Sequence, residues 1–510
     1  MHRYLDKGID FSNRDIISIT DLSRDEILYL CEIAADLWER EKSEQRNALR
    51  DELKGKTLAY MFFEDSTRTR TSFNTAMREL GGSRDGFSGK EGTSLQKKES
   101  VRDTLMMYWA NHADIIVMRH PNDGSVQWAA DVVGIPVING GDGKNEHPTQ
   151  ALLDLFSLYL GNDQSLDNIR VGFGGDLAHG RTVHSLSLGL SHFQNPQIYW
   201  ATEDALGMPK DLEQLLESKG VKVFREKTVQ DVLSKVDPYS YYMTRPQLER
   251  MKGITQAQIE ELLKKYRITK ETLRDHAAKL LHPLPVNSEL AEIEISAYYT
   301  KNQGFFRQAE NGVLLRKALL WSILQTESYT PFSGYLHPDL EHGNNRLVRH
   351  KTGKRKAGKF IDDIHSGISI DHVARGYARL IADKLQLSER GYSSAPIDME
   401  PKDDKSFVKS SLDTLTEREL KQIALISPEA TINIIKGGKV VEKFVYLLCQ
   451  NDNCITRVVT EDVPPKFYHD GTIRCRYCRK PYAFEGRKIQ PKEKEAFIAG
   501  LPKVIVPIVY

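Results

Sequence analysis

Between residues 56 and about 285, short apolar runs alternate with stretches whose apolar positions recur every three to four residues. KTLAYMFFE opens the series. Phe73, Ala76, Met77 and Leu80 then mark one face of a helix beginning near Ser72, which Gly81 and Gly82 stop. Further runs at ADIIVMR, IPVIN, NIRVGFGG, QIYWAT, VKVFRE and KLLHPLP, most of them separated by helical segments, predict parallel sheets with crossover helices. The fold class is therefore α/β, with two doubly wound parallel-sheet domains at 1–150 and 151–304. A helical segment from Gly304 to Gln325 closes this part, and 305–325 is assigned back to the first domain.

Residues 326–357 lose periodicity and gather Gly, Pro, His and basic residues, the pattern of a linker. Within it HKTGKRKAGK reads as a solvated tether rather than a nucleic-acid patch. After it, FIDDIHSGISIDHV suggests two strands around a turn and ARGYARLIADKL a helix. TLTERELKQIAL suggests a second helix with a capping box at Thr416 and Glu419. INIIKGGKVVEKF predicts a hairpin turning at Gly437 and Gly438. These elements make a small α+β domain at 358–444, followed by a β-rich cysteine-containing domain at 445–490 and a tail at 491–510. The tail's LPKVIVPIVY is apolar enough for an edge strand or for packing on a neighbour.

The chain has 510 residues, too many for one core of ordinary size. Lys+Arg 71 against Asp+Glu 70 leaves a net charge of +1, which supplies no global field for nucleic acid or an anionic membrane. Any anion must be held locally. Apolar stretches such as Leu152 to Leu160 fall short of the roughly 18 residues a membrane helix needs, and MHRYLDKGID has no apolar signal region. Four of the five cysteines crowd into the last quarter of the chain, which suits a metal site in a reducing compartment, so the expected location is cytoplasmic.

Chemistry begins at Ser66, Thr67, Arg68, Thr69, Arg70 and Thr71, placed between a predicted strand and the helix after it. Unpaired N–H groups at a helix start, hydroxyl donors and a guanidinium fork would hold a phosphate there. A helix-capping cluster with surface arginines would look the same in isolation, and no GxxxxGK[ST] loop is present. VMRHP puts Arg119 at a strand end, and GDGKNEHPTQ puts His147 and Gln150 just before a helix, so polar groups converge on a crevice at strand C-termini.

With STRTR, MRHP, HPTQ, GDLAHGRTVHS, MTRPQ and HPLP in that order across nearly all of residues 1–325, the chain resembles the aspartate and ornithine carbamoyltransferase superfamily. The resemblance makes 1–150 the carbamoyl-phosphate-binding domain and 151–304 the aspartate-binding domain. It implies that Ser66, Thr67, Arg68 and Thr69 bind the phosphate of carbamoyl phosphate. Thr69, Arg119 and His147 would surround the carbamoyl oxygen as an oxyanion hole. Gln150, with the backbone carbonyls of Pro283 and Leu284, would orient the carbamoyl NH2 group. Arg181, Arg245 and Gln247 would clamp the two carboxylates of L-aspartate. Ser94 and Lys98, in the polar segment TSLQKKES, would reach into a neighbouring subunit's site, Lys98 with a catalytic and aspartate-binding part, which implies a catalytic trimer or two trimers linked through further domains. The ornithine branch carries a cysteine where this chain has His282-Pro283-Leu284-Pro285 and lacks MTRPQ, so aspartate is favoured as acceptor. Val286 and Asn287 depart from the Arg that follows HPLP in many relatives. The implied step is the committed one of de novo pyrimidine biosynthesis.

Cys449, Cys454, Cys475 and Cys478 have the spacing C-x4-C-x20-C-x2-C, which lets two loops deliver four thiolates to one structural zinc per chain. Residues 358–490 are similar to the regulatory chain that two-chain members of the family use. That likeness implies a nucleotide effector such as CTP, with Asp371 and His372 at its base or ribose, Lys409 and Lys443 at its phosphates, and Asn433 and Ile435 flanking the base. Transfer to ornithine or another amine, and a non-catalytic nucleotide-sensing scaffold, are the competing readings.

Overall fold

The computed structural model describes residues 9–42, 50–89, 91, 93–246, 265–325, 346–348, 366–374, 377–387, 389–390, 394–397, 405–428, 430–461, 463–484 and 491–499. Two compact units form: Met1–Glu99, Asp103–Pro121 and Val133–Ser333 in one, Ser100–Arg102, Asn122–Val132 and Gly334–Tyr510 in the other.

The first unit contains two sheets. β1 (Thr57–Phe62), β2 (Ser83–Ser88), β3 (Ile115–His120) and β4 (Val137–Asp142) lie in the order β2-β1-β3-β4. β5 (Arg170–Gly175), β6 (Gln197–Ala201), β7 (Lys222–Arg225), β8 (Ser240–Thr244) and β9 (Lys279–Leu281) lie in the order β7-β6-β5-β8-β9. Every pairing in both is parallel. Parallel neighbours need crossovers, and the same stretch of chain provides α1 (Arg24–Lys42), α2 (Thr67–Glu79), α3 (Val101–Ala110), α4 (Ser125–Val132), α5 (Pro148–Gly161), α6 (Arg181–Leu190), α7 (Lys210–Ser218), α8 (Val229–Val236), α9 (Lys270–Leu273) and α10 (Phe305–Leu324). α4 belongs to the second unit. α10 packs on α1, α2 and α5. Phe62, Phe73, Phe156 and Phe173 are fully buried in the resulting core, each such side chain contributing about 1.5–3 kcal/mol.

The second unit has an antiparallel sheet of β10 (Arg346–Val348), β11 (Gly367–Ala374), β12 (Ser394–Ile397), β13 (Lys405–Ser410), β14 (Thr431–Lys436) and β15 (Lys439–Tyr446), in the order β10-β15-β14-β11-β13-β12. α11 (Ala378–Lys384) and α12 (Glu417–Ile426) contribute Ile381, Leu420 and Ile423 to a core shared with Ile368, Ile370, Val408, Ile432 and Phe444 of the strands. β14 and β15 form the hairpin expected at Gly437-Gly438, both of which have positive φ. A small hairpin, β16 (Phe467–His469) with β17 (Ile473–Cys475), and α13 (Pro491–Ala499) complete the unit.

Several local expectations change. α2 starts at Thr67, not near Ser72, so Thr67, Arg68 and Thr69 are its first turn. β2 and β8 were not anticipated, SRDGFS of β2 being polar. The linker is not all tether, since Arg346–Val348 pairs antiparallel with Phe444–Tyr446 of β15, and the tail begins with helix α13, which packs on β10. GISIDHVA forms the single strand β11; residues 358–365, and the LPKVIVPIVY segment, lie outside the described residues. No helix among the described residues is long and apolar enough to cross a membrane.

Candidate functional site

Parallel register decides where the strand ends lie. Phe62 pairs with Arg119, and Gly175 with Thr244, so the C-terminal ends of β1 and β3, and those of β5 and β8, are side by side. The loops leaving them line one cleft of about 350 Å³ within the first unit. Ser66, Thr67, Arg68 and Thr69 enter it from the N-cap and first turn of α2, Arg119 from β3, and His147 and Gln150 from the N-cap and first turn of α5. Arg181 at the start of α6, Arg245 after β8, and Pro283 and Leu284 after β9 face the same space.

The start of α2 separates the two readings of its sequence. Ser66 stands at the N-cap in extended backbone but makes no side-chain capping bond. The first-turn N–H groups therefore have no hydroxyl from Ser66 satisfying them and suit an anion. Burial, then the nearby guanidiniums of Arg119 and Arg245, lower the proton affinity of Arg68. Three crowded cations need an anionic partner; of the cleft's two acidic residues, Glu64 and Asp65, Glu64 is 3.5 Å from Arg119 and 3.8 Å from Arg181.

His147 is fixed by its backbone and neutralised by its surroundings. Its N–H donates to the Ser185 hydroxyl at 3.1 Å, and its ring nitrogens lie 3.4 Å from the hydroxyls of Thr69 and Thr149. Burial first, then Arg181, Arg119 and Arg316, push its pKa well below the usual histidine value. Gly141, at φ 116, lets Arg181 and His147 come together: a Cβ there would be 3.1 Å from Arg181 and 3.3 Å from the His147 ring. The Arg181 guanidinium donates to the Gly143 carbonyl.

The HPLP turn is held from behind. The Leu284 N–H donates to His282 Nδ1 at 2.8 Å, so the ring proton sits on Nε2 and points to Glu292, 3.2 Å away. Both side chains are fully buried. After the turn, Asn287 Oδ1 accepts from the N–H groups of Glu289 and Leu290, and Glu292 accepts from the Asn287 N–H. That is how this chain orders the loop without an Arg at 286.

In the second unit the four cysteine Sγ atoms lie within 4.8 Å of one another, all buried, with Cys449–Cys478 at 3.5 Å and Cys454–Cys475 at 3.9 Å. A tetrahedral zinc with bonds of about 2.3 Å has S···S edges of about 3.8 Å, so the thiols fit one four-coordinate ion. Residues of the same unit brace them. Asp123 accepts from the side-chain amides of Asn451 and Asn453 at 2.9 and 2.8 Å, and Arg476 grips Asp131 with two bonds of 2.9 Å.

Residues 14–159 match the family described as aspartate/ornithine carbamoyltransferase, carbamoyl-P binding domain, and 167–323 its Asp/Orn binding domain. Residues 360–446 and 439–487 match the allosteric and metal binding domains of the aspartate carbamoyltransferase regulatory chain. The aspartate carbamoyltransferase catalytic subunit of Thermococcus kodakarensis is 41% identical over 317 residues, 61% of this chain and 97% of that protein. The chain belongs to the aspartate carbamoyltransferase family. Among solved structures, the M. jannaschii aspartate transcarbamoylase catalytic subunit is 35% identical at a TM-score of 0.56, covering 61% of this chain and 98% of its own. The Trypanosoma cruzi aspartate transcarbamoylase in complex with carbamoyl phosphate and aspartate is 33% identical at a TM-score of 0.56, covering 62% and 98%.

This aspartate carbamoyltransferase chain thus joins catalytic and regulatory parts. In the regulatory sheet Lys409, Ser369, Asn433 and Lys443 form one cross-strand row over β13, β11, β14 and β15. Asn433 donates to Asp371 at 2.9 Å, and His372 sits at the β11 bulge with φ 62. Ile435 is buried two residues along β14. Ser94 and Lys98 do not line the cleft of their own chain, Ser94 opening a 3-10 turn that Lys98 ends at φ 67. Gln247 lies outside the described residues. The sequence reading passed over Glu64, Asp154, Gln308 and Arg316. Glu64 immediately precedes DSTRTR and Asp154 is four residues after Gln150, one turn along the same helix face, so both could have been found; Gln308 and Arg316 are brought in by tertiary packing alone.

Proposed function

We propose that this cleft carries the carbamoyl group from carbamoyl phosphate to the amine of L-aspartate, the committed step of de novo pyrimidine biosynthesis. The observation that carries the reading is the meeting of Arg68, Arg119 and Arg245 with the uncapped start of α2 and a neutral His147. Ser66, Thr67, Arg68 and Thr69 hold the phosphate. The aspartate amine attacks the carbonyl carbon, forming the C–N bond; negative charge grows on the carbonyl oxygen, where Thr69, Arg119 and His147 stabilise it. The C–O bond to phosphate then breaks. Held neutral, His147 keeps one ring N–H with which to donate and is a weak base, and the departing phosphate can itself accept the amine's proton. Arg181 and Arg245, with Gln247, engage the two carboxylates, while Gln150 and the carbonyls of Pro283 and Leu284 orient the carbamoyl NH2. Ser94 and Lys98 complete a neighbouring subunit's cleft, which makes the working form a trimer or a pair of trimers.

The four cysteines hold zinc, which with four protein ligands has no open position and serves structure. The row Lys409-Ser369-Asn433-Lys443, with Asp371, His372 and Ile435, receives a nucleotide effector such as CTP. The enzyme acts in the cytoplasm. Phosphate release from carbamoyl phosphate with L-aspartate or L-ornithine, with and without CTP, tests both halves. Aspartate-dependent, CTP-sensitive turnover is expected. Turnover with ornithine alone would overturn the acceptor, and indifference to every nucleotide would overturn the effector site.

A further inference from the structure

A fully buried carboxylate stands behind the cleft without entering it. Asp154 Oδ1 accepts from the side-chain amide nitrogens of Gln150 at 2.9 Å and Gln308 at 2.6 Å, and Oδ2 accepts from the Tyr242 hydroxyl at 2.8 Å. Gln308 uses its other end, Oε1, to accept the backbone N–H of His282 at 2.9 Å. The hub therefore links α5, α10, β8 and the turn after β9, and Asp154, Tyr242 and Gln308 are all buried.

An ionised carboxylate accepts hydrogen bonds and donates none, whereas a glutamine amide has a donor end and an acceptor end that can exchange by a flip. Facing Asp154, Gln150 must turn its NH2 inward. Its carbonyl oxygen is then the end left for the cleft that Gln150 lines. An acceptor at that position recognises a ligand N–H and offers nothing to a methyl group.

We propose that Asp154 is a positioning residue for donor specificity: by fixing the polarity of the Gln150 amide it makes the cleft select an acyl phosphate that bears an NH2 group over one that bears CH3. The inference rests on the reading of the cleft as a carbamoyl-phosphate site. Burial raises the Asp154 carboxyl to about 7, against the lowering effect of bonds from Gln308, Tyr242 and Gln150 and the charge of Arg316. Those three donors and Arg316 favour the ionised, acceptor-only form.

The test compares carbamoyl phosphate with acetyl phosphate, each as donor to L-aspartate and as competitive ligand, in the full-length metal-bound chain. Asp154→Leu is close in size and offers no acceptor, so nothing at that position dictates the orientation of Gln150. The preference for carbamoyl phosphate should fall about tenfold, the size of one hydrogen bond, with aspartate KM within about twofold. On a Gln150→Ala background the same substitution should change the preference no further. An equal loss for both phosphates, or an additive loss on that background, would overturn the proposal. Should the Leu variant fail to fold, Asp154→Glu, still an acceptor only, should keep the wild-type preference within threefold; losing it counts equally against the idea. Failure of the wild-type chain to use carbamoyl phosphate with aspartate would instead remove the reading of the cleft itself.

Discussion

The arginine-lined cleft and the cysteine cluster gather like-charged or charge-bearing groups by opposite routes. In the first unit, two parallel sheets with buried aromatic and aliphatic cores aim their strand ends, and the cations Arg68, Arg119 and Arg245 follow. There the fold produces the site. In the second, Cys449, Cys454 and Cys478 sit on loops and Cys475 ends one of two three-residue strands, with Ile455, Val463, Phe467 and Tyr477 as modest apolar support. There the site must help to produce the fold, because so little apolar surface cannot offset the entropy of ordering the loops.

Metal removal should break this symmetry most visibly. Structural zinc contributes on the order of 10–16 kcal/mol in small thiolate modules. Chelation, or Cys475→Ser, should erase amide-exchange protection over 449–482 and loosen the Asp123 backbone pairing with Asn453 and Ile455, while β1 to β9 stay protected. Exchange mass spectrometry beside a zinc assay measures this. Protection of 449–482 in a metal-free chain would show that its own packing suffices and that the contrast is false.

The cleft should behave in reverse, losing chemistry while keeping structure. His147→Ala removes one donor from the site where charge develops, so kcat should drop about 10²–10³-fold with the thermal midpoint of the first unit little changed. Arg245→Ala should chiefly raise the aspartate KM, because a carboxylate loses its guanidinium partner, and leave carbamoyl phosphate protection against unfolding intact. If His147→Ala keeps its kcat, the cleft is not where the reaction occurs.

A smaller effect concerns acid. Burial first, then Lys219, lowers the His192 pKa to about 4 from a reference of 6.5. The unfolded chain therefore takes up a proton below 6.5 that the folded chain refuses until about 4, and stability falls with pH across that window. His192→Gln removes this uptake. Its thermal midpoint relative to wild type should rise as pH drops from 6.5 to 4 and level off below; a constant difference would mean that His192 is not buried neutral.

The two regions also differed in how far their sequence could be read. Repeated apolar runs exposed most of the parallel strands, and STRTR, HPTQ and HPLP stand at strand ends where chemistry collects, so the cleft was legible from one dimension. Asp154 was not, because its partners Tyr242 and Gln308 are 88 and 154 residues away and only packing reveals that it is bonded to them. β2 was hidden by its polar composition, an edge strand having one side free of partners. The cysteine spacing announced a metal, yet not its support: Asp123 and Asp131 lie more than 300 residues from Asn453 and Arg476. Local signals such as caps and turns survived translation into structure; long-range polar partners did not.

The capping box of α12 is the smallest lever and separates local from metal-borne stability. Thr416 Oγ1 accepts the Glu419 N–H at 3.2 Å, and Glu419 returns the favour to the Thr416 N–H at 2.7 Å, with Arg390 on the same carboxylate. Thr416→Ala should cost about 1 kcal/mol. Because α12 places Leu420 and Ile423 on the sheet, that loss should lower the unfolding midpoint of the regulatory sheet by a few degrees, as about 1 kcal/mol does in a domain of roughly 100 residues. Lys421 also sends its ammonium to the carbonyls of Val458 and Glu461, joining α12 to the loop beyond Cys454. If the sheet and the cysteine cluster melt as one body, the metal-bound and metal-free chains should show different responses to the same substitution: a shift spread over the whole unit with metal, and one confined to the sheet without it. Equal responses in both states would mean that the sheet folds independently of the cluster, and that dependence on the ion stops at the loops carrying the four cysteines.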